Sequence, residues 1–201
     1  MIVEFVGVDG SGKTTAIQTL RRYINERGDA FSYERSFQSN MVRLLEAAAS
    51  IEGRARPDSC FSKDSIETAR TLDLVSWSAS LNPFLKSPHQ IMCCDGYVVE
   101  QASRLIANGF WTPHFKRLLA LAVEPDLRIY LHLSAQTALE RMRSRPKGDA
   151  ILLARDPFQK TKEVISALEY ALSDLSTAFV SVDAEASPDD VFQQVAQLLK
   201  F

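Results

Sequence analysis

Gly7-Val8-Asp9-Gly10-Ser11-Gly12-Lys13-Thr14 matches in full the phosphate-loop pattern G-x-x-x-x-G-K-S/T, and it ends an apolar run that begins at residue 2. A backbone that wraps a phosphate chain needs φ values that most residues avoid and room that side chains would fill, and glycine meets both needs. Lys13 adds a positive charge for the β- and γ-phosphates, while Thr14 begins a helix whose N-terminus favours anions and whose hydroxyl suits Mg²⁺. The stretch therefore predicts a nucleoside triphosphate site built from Gly7, Asp9, Gly10, Ser11, Gly12, Lys13, Thr14 and Thr15.

The composition suits one domain over residues 1–201, because 46% of the 201 residues are hydrophobic and domains commonly run about 100 to 200 residues. The net charge is −2 and the basic residues are dispersed except in one segment, so we expect no nucleic-acid partner. The chain begins at once with a strand-like run, and no apolar run approaches the ~18 residues of a membrane span. An odd number of cysteines indicates reduced thiols. We therefore expect a cytoplasmic protein with no membrane partner.

Short apolar or β-branched runs alternate with longer helical patterns, which is typical of a parallel sheet covered by helices on both faces. Five candidate strands cover residues 2–8, 30–34, 90–94, 127–133 and 179–182. The sequence therefore predicts an α/β fold of three layers, the P-loop NTPase fold, with the phosphate loop at the end of the first strand.

Several helices carry recognisable start signals. Asp64-Ser65-Ile66-Glu67 is typical of a capping box. Ser187 and Asp156 each precede a proline suited to a first helical turn, and we expect the helix after Asp156 to cover about residues 157–178. The apolar residues of 191–199 follow helical spacing, which predicts a last helix that only covers the sheet.

Asp95 follows the third candidate strand. Ligands of open α/β sheets bind beyond the carboxyl ends of the strands, where this carboxylate could hold Mg²⁺ opposite Thr14. A turn or helix-cap aspartate is the alternative, because Asp95-Gly96 is a common turn dipeptide. Asp9 carries the same charge as the triphosphate, so we expect its side chain to point to the acceptor side instead.

The one basic concentration lies between residues 141 and 155. Phosphoryl transfer needs cations over the migrating group, and a flexible arginine-bearing segment can also exclude water by closing. We therefore predict a lid at about residues 143–155, with Arg141 and Arg145 as catalytic residues. A solvated basic helix end is the alternative, because cations favour helix C-termini.

The chain resembles the thymidylate kinases and their nucleoside monophosphate kinase relatives. Residues 5–15 are similar to the family's opening, and Pro-Asp-Leu-Arg-Ile-Tyr-Leu at 125–131 resembles its "PDL-x-IYL" strand. Residues 138–145 resemble the helix that leads into its lid, and residues 187–192 resemble the start of its C-terminal helix. The resemblance implies a parallel five-stranded core, ATP and Mg²⁺ as cofactors, and a homodimer.

The resemblance also implies roles for individual residues. Asp9 would contact the acceptor's sugar, and Lys13 and Thr14 would contact the donor phosphates and the metal. Asp95 would contact the metal's water shell or the acceptor phosphate. Gly10 resembles the family branch that keeps its catalytic arginine in the lid.

The acceptor side departs from the family pattern. The family's Asp-Arg-Tyr triplet is Asp95-Gly96-Tyr97 here, so the arginine that would hold the acceptor phosphate is missing. The family's Glu-Pro-Gly-Gly-Thr is replaced by Glu34-Arg35-Ser36-Phe37-Gln38, and residues 73–78 carry no cation where an arginine is expected. Three arginines could compensate for these losses, namely Arg35, Arg43 and Arg70.

Acceptor recognition leaves more than one interpretation open. Trp77 and Tyr97 are our candidates for stacking on a base, and Glu34 could accept a proton from a hydroxyl, as a comparable glutamate does in the related deoxynucleoside kinases. The leading hypothesis is transfer of the ATP γ-phosphoryl to a nucleoside monophosphate, dTMP or a related pyrimidine nucleotide. The alternatives are a kinase of the same fold that acts on a nucleoside or other small-molecule hydroxyl, and a nucleotide-binding protein without catalysis.

Overall fold

A computed structural model describes residues 1–35, 39–85, 90–145 and 148–199, with only the backbone of Glu34 and Arg35. Its sheet has five parallel strands in the order β2-β3-β1-β4-β5. This confirms the predicted α/β fold with a five-stranded parallel sheet. The strands are β1 (Ile2–Val6), β2 (Ala30–Arg35), β3 (Gln90–Asp95), β4 (Leu127–His132) and β5 (Val180–Asp183).

Helices connect the strands and cover the sheet. They are α1 (Lys13–Glu26), α2 (Asn40–Ile51), α3 (Lys63–Ser78), α4 (Asn82–Leu85), α5 (Val98–Ala107), α6 (Pro113–Leu119), α7 (Ala135–Arg143), α8 (Pro157–Asp174) and α9 (Pro188–Leu198), with short 3₁₀ helices at Pro57–Ser59, Ala79–Leu81 and Ala150–Leu153.

The first strand is the centre of the sheet and is buried along its whole length. Phe5 of β1 pairs with Asp95 of β3 on one side and with Ile129 of β4 on the other. The chain leaves β1 for the far side of β3, so neighbouring connections diverge where β1 ends. In open α/β sheets such a point is where ligands bind.

A buried ion pair crosses the middle of the sheet. Glu4 of β1 is 0% exposed and Arg128 of β4 is 2% exposed; the Arg128 Nε donates to a Glu4 carboxylate oxygen at 2.9 Å. The other Glu4 oxygen accepts the Val99 N–H at 3.0 Å. The two terminal nitrogens of Arg128 donate to the Glu124 carboxylate. Burial raises the pKa of the Glu4 carboxyl, while Arg128 acts to lower it. The pair therefore joins two strands to the start of α5.

The helix starts agree with the predictions in two cases and differ in one. Asp156 and Ser187 cap α8 and α9, each accepting an N–H from three residues ahead. The capping box at residues 64–67 was wrong: Ser62 caps α3 and accepts the Ser65 N–H at 3.1 Å. Asp64 lies in the first turn, where its charge still suits the helix dipole.

Element ends differ from the prediction by a few residues. Strand β1 stops at Val6 because the phosphate loop begins there, and α8 ends at Asp174 instead of residue 178. Leu175 caps α8. Ser176 has a φ of 52°, in the left-handed region, so the right-handed helix cannot continue through it. Helix α9 buries Val191 and Val195 against the core, as its spacing predicted.

The three cysteines, all among the described residues, form no disulfide, and Cys93 and Cys94 are buried in β3. Burial raises the pKa of the Cys93 thiol, which makes its thiolate scarce. Among the described helices, none is both long enough and apolar enough for a bilayer crossing.

Candidate active site

The phosphate loop follows β1 as a tight turn that excludes side chains. Gly10 and Gly12 have φ values of 92° and 91°, in the left-handed region. A Cβ at Gly10 would lie 2.6 Å from the Ala138 carbonyl oxygen, and one at Gly7 would lie 3.0 Å from the Leu131 carbonyl oxygen. The loop therefore needs glycine at these positions for backbone conformation and for close approach to β4 and α7.

Lys13 and Ser11 supply polar groups around the loop. The Lys13 Nζ donates to the Gly7 carbonyl at 2.6 Å and lies 3.4 Å from the Val8 carbonyl. The Ser11 hydroxyl is buried and finds no hydrogen-bond partner in the described part of the chain. Helix α1 begins at Lys13, directly after Gly12, so its N-terminal amides and dipole face the same turn. An ammonium, an orphaned hydroxyl and a helix N-terminus around one turn fit a chain of phosphates.

Thr14 and Asp95 form the candidate metal site. The Thr14 hydroxyl donates to an Asp95 carboxylate oxygen at 2.8 Å, and the Tyr33 hydroxyl donates to the same oxygen at 3.2 Å. Asp95 is 6% exposed and lies at the end of β3. Mg²⁺ usually takes one or two protein oxygens and completes its shell with phosphates and waters. These two neighbouring oxygens, beside the loop that would hold the phosphates, fit that requirement.

A cavity of about 560 Å³ opens beside the loop. The phosphate loop, Asp95, helix α5, the lid segment and helix α8 all contribute lining residues, and α5 and α8 pack against each other. The residues that line it are Gly7, Val8, Asp9, Gly10, Gly12, Lys13, Thr14, Asp95, Glu100, Ser103, Arg104, Ala107, Asn108, Arg145, Ala150, Ile151, Lys160, Val164 and Leu168.

Glu100 fills the space beside Gly96, the position at which the resemblance described above implies an arginine. Gly96 has a φ of 80°, and a Cβ there would collide with the Glu100 carboxylate. Burial raises the pKa of the Glu100 carboxyl; Lys13 acts to lower it, and the carboxylates of Asp9 and Asp95 raise it further. The position of the missing cation is thus bordered by an acid.

An arginine pair lies further along the same wall. Arg104 on α5 forms an ion pair with Glu67 on α3, and the Arg70 Nε lies 3.9 Å from the same Glu67 oxygen. Arg70 and Arg104 also line a second cavity of about 100 Å³, which shares Glu100 with the larger one. Burial lowers the pKa of the Arg104 guanidinium and nearby Arg70 lowers it further, while Glu67 acts in the opposite direction.

The structure brings most predicted donor-side residues together at the cavity. Asp9, Lys13, Thr14, Asp95 and Arg145 line it together with Gly7, Gly10 and Gly12. Asp9 is exposed at the loop tip, and Ser11 is buried beneath the loop. Thr15 is exposed on the first turn of α1 and is not among the lining residues.

Two predicted roles do not fit the structure. The Arg141 guanidinium donates to the Ala184 carbonyl at 2.8 Å, after β5, and is not among the cavity-lining residues, so the structure does not bring it to the site where a catalytic residue was predicted. Tyr97 is 1% exposed, donates its hydroxyl to the Val123 carbonyl and packs edge-on against Trp77 at 5.6 Å between ring centroids. A base has no access to the buried Tyr97 ring, and Trp77 is packed against the core.

The other residues predicted for the acceptor side lie in different places, and some lie outside the described residues. Arg70 lines the smaller cavity, as described above. Arg43 is exposed on α2 and lines neither cavity. The side chains of Glu34 and Arg35 and the whole of residues 36–38 lie outside the described residues, as do positions 146 and 147 of the predicted lid.

Sequence reasoning missed three charged residues of the site, namely Glu100, Arg104 and Lys160. Glu100 and Arg104 are four residues apart on the helix that follows Asp95, so they share a face. That spacing was the available signal for both. Lys160 lies in the first turn of α8, whose start at Asp156 was predicted. No sequence pattern indicated that its side chain would line the cavity.

Gly96→Ala is expected to destabilise the protein more than Gly109→Ala. Both glycines have a similar positive φ, 80° and 74°, so both alanines would cost about 1–2 kcal/mol in backbone strain. The added Cβ meets open space at Gly109 but the Glu100 carboxylate at Gly96, so the flexible Glu100 side chain has to change its rotamer, which would add about 0.5–1.5 kcal/mol. Urea denaturation of both variants measures the difference, and equal losses would contradict this placement of Glu100.

Comparison with curated proteins finds similarity to thymidylate kinases along nearly the whole chain. The chain is 23% identical to a probable thymidylate kinase 2 of Saccharolobus solfataricus, in an alignment covering 99% of this chain and 95% of the relative. It is 25% identical to a thymidylate kinase of Caldicellulosiruptor saccharolyticus, over 98% of this chain and 94% of the relative. The chain is 26% identical to a thymidylate kinase of Mycoplasmopsis agalactiae, over 99% of this chain and 94% of the relative. No protein-family profile matches the chain.

Proposed function

We infer that the chain belongs to the thymidylate kinase family, and from that premise we propose that it transfers the γ-phosphoryl group of ATP to a nucleoside monophosphate, dTMP or a related pyrimidine nucleotide. The full-length similarity to thymidylate kinases supports the reaction class. The observation that carries it is the 2.8 Å contact between Thr14 and Asp95 beside the glycine cradle. This contact supports the proposal because the two oxygens that would hold Mg²⁺ lie next to each other beside the phosphate loop.

The proposed reaction is a direct phosphoryl transfer. An oxygen of the acceptor phosphate attacks the γ-phosphorus, the bond from that phosphorus to the β–γ bridging oxygen breaks, and ADP leaves with the electron pair. The loop amides and Lys13 hold the donor phosphates, and Arg145 is the lid cation that lines the cavity. Thr14 and Asp95 would hold Mg²⁺, which neutralises phosphate charge when it is bound. The lid at about residues 143–155 would exclude water by closing.

We also propose a homodimer that acts in the cytoplasm. Apolar side chains are exposed on α2 and α3, including Met41, Leu44, Ile51 and Leu72. Met41, Leu44 and Ile51 recur at a spacing that puts them on one face of α2, and α2 packs against α3. A contiguous apolar face of this kind supports contact with a second copy.

A second candidate function is phosphorylation of a hydroxyl acceptor. Glu100 favours it, because a carboxylate replaces the family's phosphate-binding arginine at Gly96 and lies near Lys13. A cavity-lining carboxyl with a raised pKa is suited to take a proton from an attacking hydroxyl. A nucleoside monophosphate needs no such base, since its phosphate oxygens are already ionised.

An ADP-release assay across acceptors tests the two functions. With MgATP saturating, we expect dTMP or dUMP to be converted to the diphosphate with a kcat/KM at least tenfold above that of thymidine or deoxycytidine. Turnover of nucleosides without turnover of monophosphates would establish the hydroxyl kinase instead. Binding of MgATP with no transfer to any acceptor would show a nucleotide-binding protein without catalysis.

A further inference from the structure

Two guanidinium groups on the cavity wall share a single carboxylate. Arg104 pairs with Glu67, and the Arg70 Nε lies 3.9 Å from the same Glu67 oxygen. The Arg70 Nε is buried and has no hydrogen-bond partner among the residues that the structure describes. The three side chains therefore carry a net charge of +1 beside the Glu100 carboxylate, which lines both cavities, and the Arg70 donor there is unsatisfied among the described residues.

The arginine pair faces ligand space and is not enclosed in the core. The Arg104 side chain is 35% exposed and that of Arg70 is 25% exposed. Arg104 lines the larger cavity together with Lys13 and Asp9, and both arginines line the smaller one next to Gly96. Arg104 also lies one helical turn beyond Glu100, about 6 Å along α5. The pair thus lies next to the position that lacks the family arginine.

We propose that Arg104 and Arg70 bind the phosphate of the acceptor nucleotide, in place of the arginine absent at Gly96. This inference rests on the proposed function. Planar guanidinium groups bind phosphate oxygens through paired charge-assisted hydrogen bonds. A phosphate between the two arginines relieves their mutual repulsion and accepts the unsatisfied Arg70 N–H. Glu67 keeps the two groups in place when the acceptor is absent.

Arg104→Gln and Arg70→Gln test the proposal through the KM of the acceptor. Removing a charge-assisted contact to a phosphate is expected to raise the KM for dTMP by about 10- to 100-fold, with a smaller change in kcat and an unchanged Kd for MgATP measured by calorimetry. Arg104→Lys should restore part of the loss, because it keeps the charge but loses the fork. Arg117→Gln, an exposed arginine on α6, is the matched control and should leave the KM unchanged.

The double variant Glu67→Gln/Arg104→Gln separates an effect on acceptor binding from an effect on protein stability. Arg104→Gln alone leaves the buried Glu67 with only the distant Arg70, so it also costs stability; the double variant removes both charges and should be nearer to the parent in melting temperature. A raised KM in the double variant supports the proposal. An unchanged KM in the folded variants, or a weakened MgATP Kd with an unchanged KM for dTMP, would overturn it.

A binding measurement separates this proposal from the proposed function. The melting temperature of the parent protein should rise with dTMP, and Arg104→Gln should abolish the rise. If the parent binds dTMP through these arginines but transfers no phosphoryl group, the proposed function fails and the phosphate subsite stands. If dTMP is phosphorylated and the variants bind it as the parent does, the subsite fails and the proposed function stands.

Discussion

Lys13→Ala is expected to lower kcat for phosphoryl transfer by about 10²- to 10³-fold or more. The Lys13 Nζ lies against the carbonyls of Gly7 and Val8, at the point where the donor phosphates would enter the loop. A fixed cation in a water-excluded site stabilises the charge that develops on the transferring group, and each 1.36 kcal/mol lost from that stabilisation costs about tenfold in rate. Single-turnover measurements with saturating MgATP and acceptor would report the change.

Lys162→Ala is the matched control for this prediction. Lys162 is an exposed lysine on α8 whose amine lies 5.8 Å from the Phe158 ring centroid, and it does not line the main cavity. Its replacement should leave kcat within about twofold, since isolated surface substitutions change little. Activity close to that of the parent in Lys13→Ala would contradict the assignment of the phosphate loop as the donor site.

The donor side could be predicted from the sequence because its parts are contiguous or tied to strand ends. The loop residues follow one another in the chain, and Asp95 ends a strand that pairs with β1. The carboxyl ends of parallel strands meet at one edge of the sheet, so a motif after β1 and an acid after β3 had to lie close together. The contact between Thr14 and Asp95 is the result.

The acceptor side could not be predicted in the same way because it depends on pairing between helices. Glu67 on α3 and Arg104 on α5 are 37 positions apart, and neither belongs to a motif that indicates phosphate binding. Arg141 was predicted from local composition alone. The basic residues around it suggested a lid, but its guanidinium donates to the Ala184 carbonyl after β5.

The buried pair of Glu4 and Arg128 also has no signal in the sequence pattern. Both residues interrupt strands that are otherwise apolar, and each would be expected on an exposed face. Only the adjacency of β1 and β4, which places Glu4 opposite Arg128, explains why both are tolerated in the core.

Arg128→Met is expected to lower the free energy of unfolding by about 3–5 kcal/mol, because it leaves Glu4 buried without its cation. Glu4 is 0% exposed, so water cannot replace the lost partner. Glu4→Gln/Arg128→Met is the matched variant: the glutamine carbonyl oxygen can still accept the Val99 N–H, and no charge stays in the core. Urea denaturation of both variants should show that the double variant regains most of the loss.

The Glu4–Arg128 pair also anchors α5, the helix that carries Glu100 and Arg104, so the prediction extends from stability to activity. Glu4 holds the N–H of Val99 at the first turn of the helix that carries Glu100 and Arg104. In Arg128→Met the unpaired Glu4 carboxylate becomes protonated or moves away. The start of α5 then loses part of its anchor. We therefore expect a higher KM for the acceptor in Arg128→Met, with the Kd for MgATP changed less, and recovery of that KM in the double variant. A loss of less than about 1 kcal/mol, within the range of an exposed pair, would show that the pair does not carry this support.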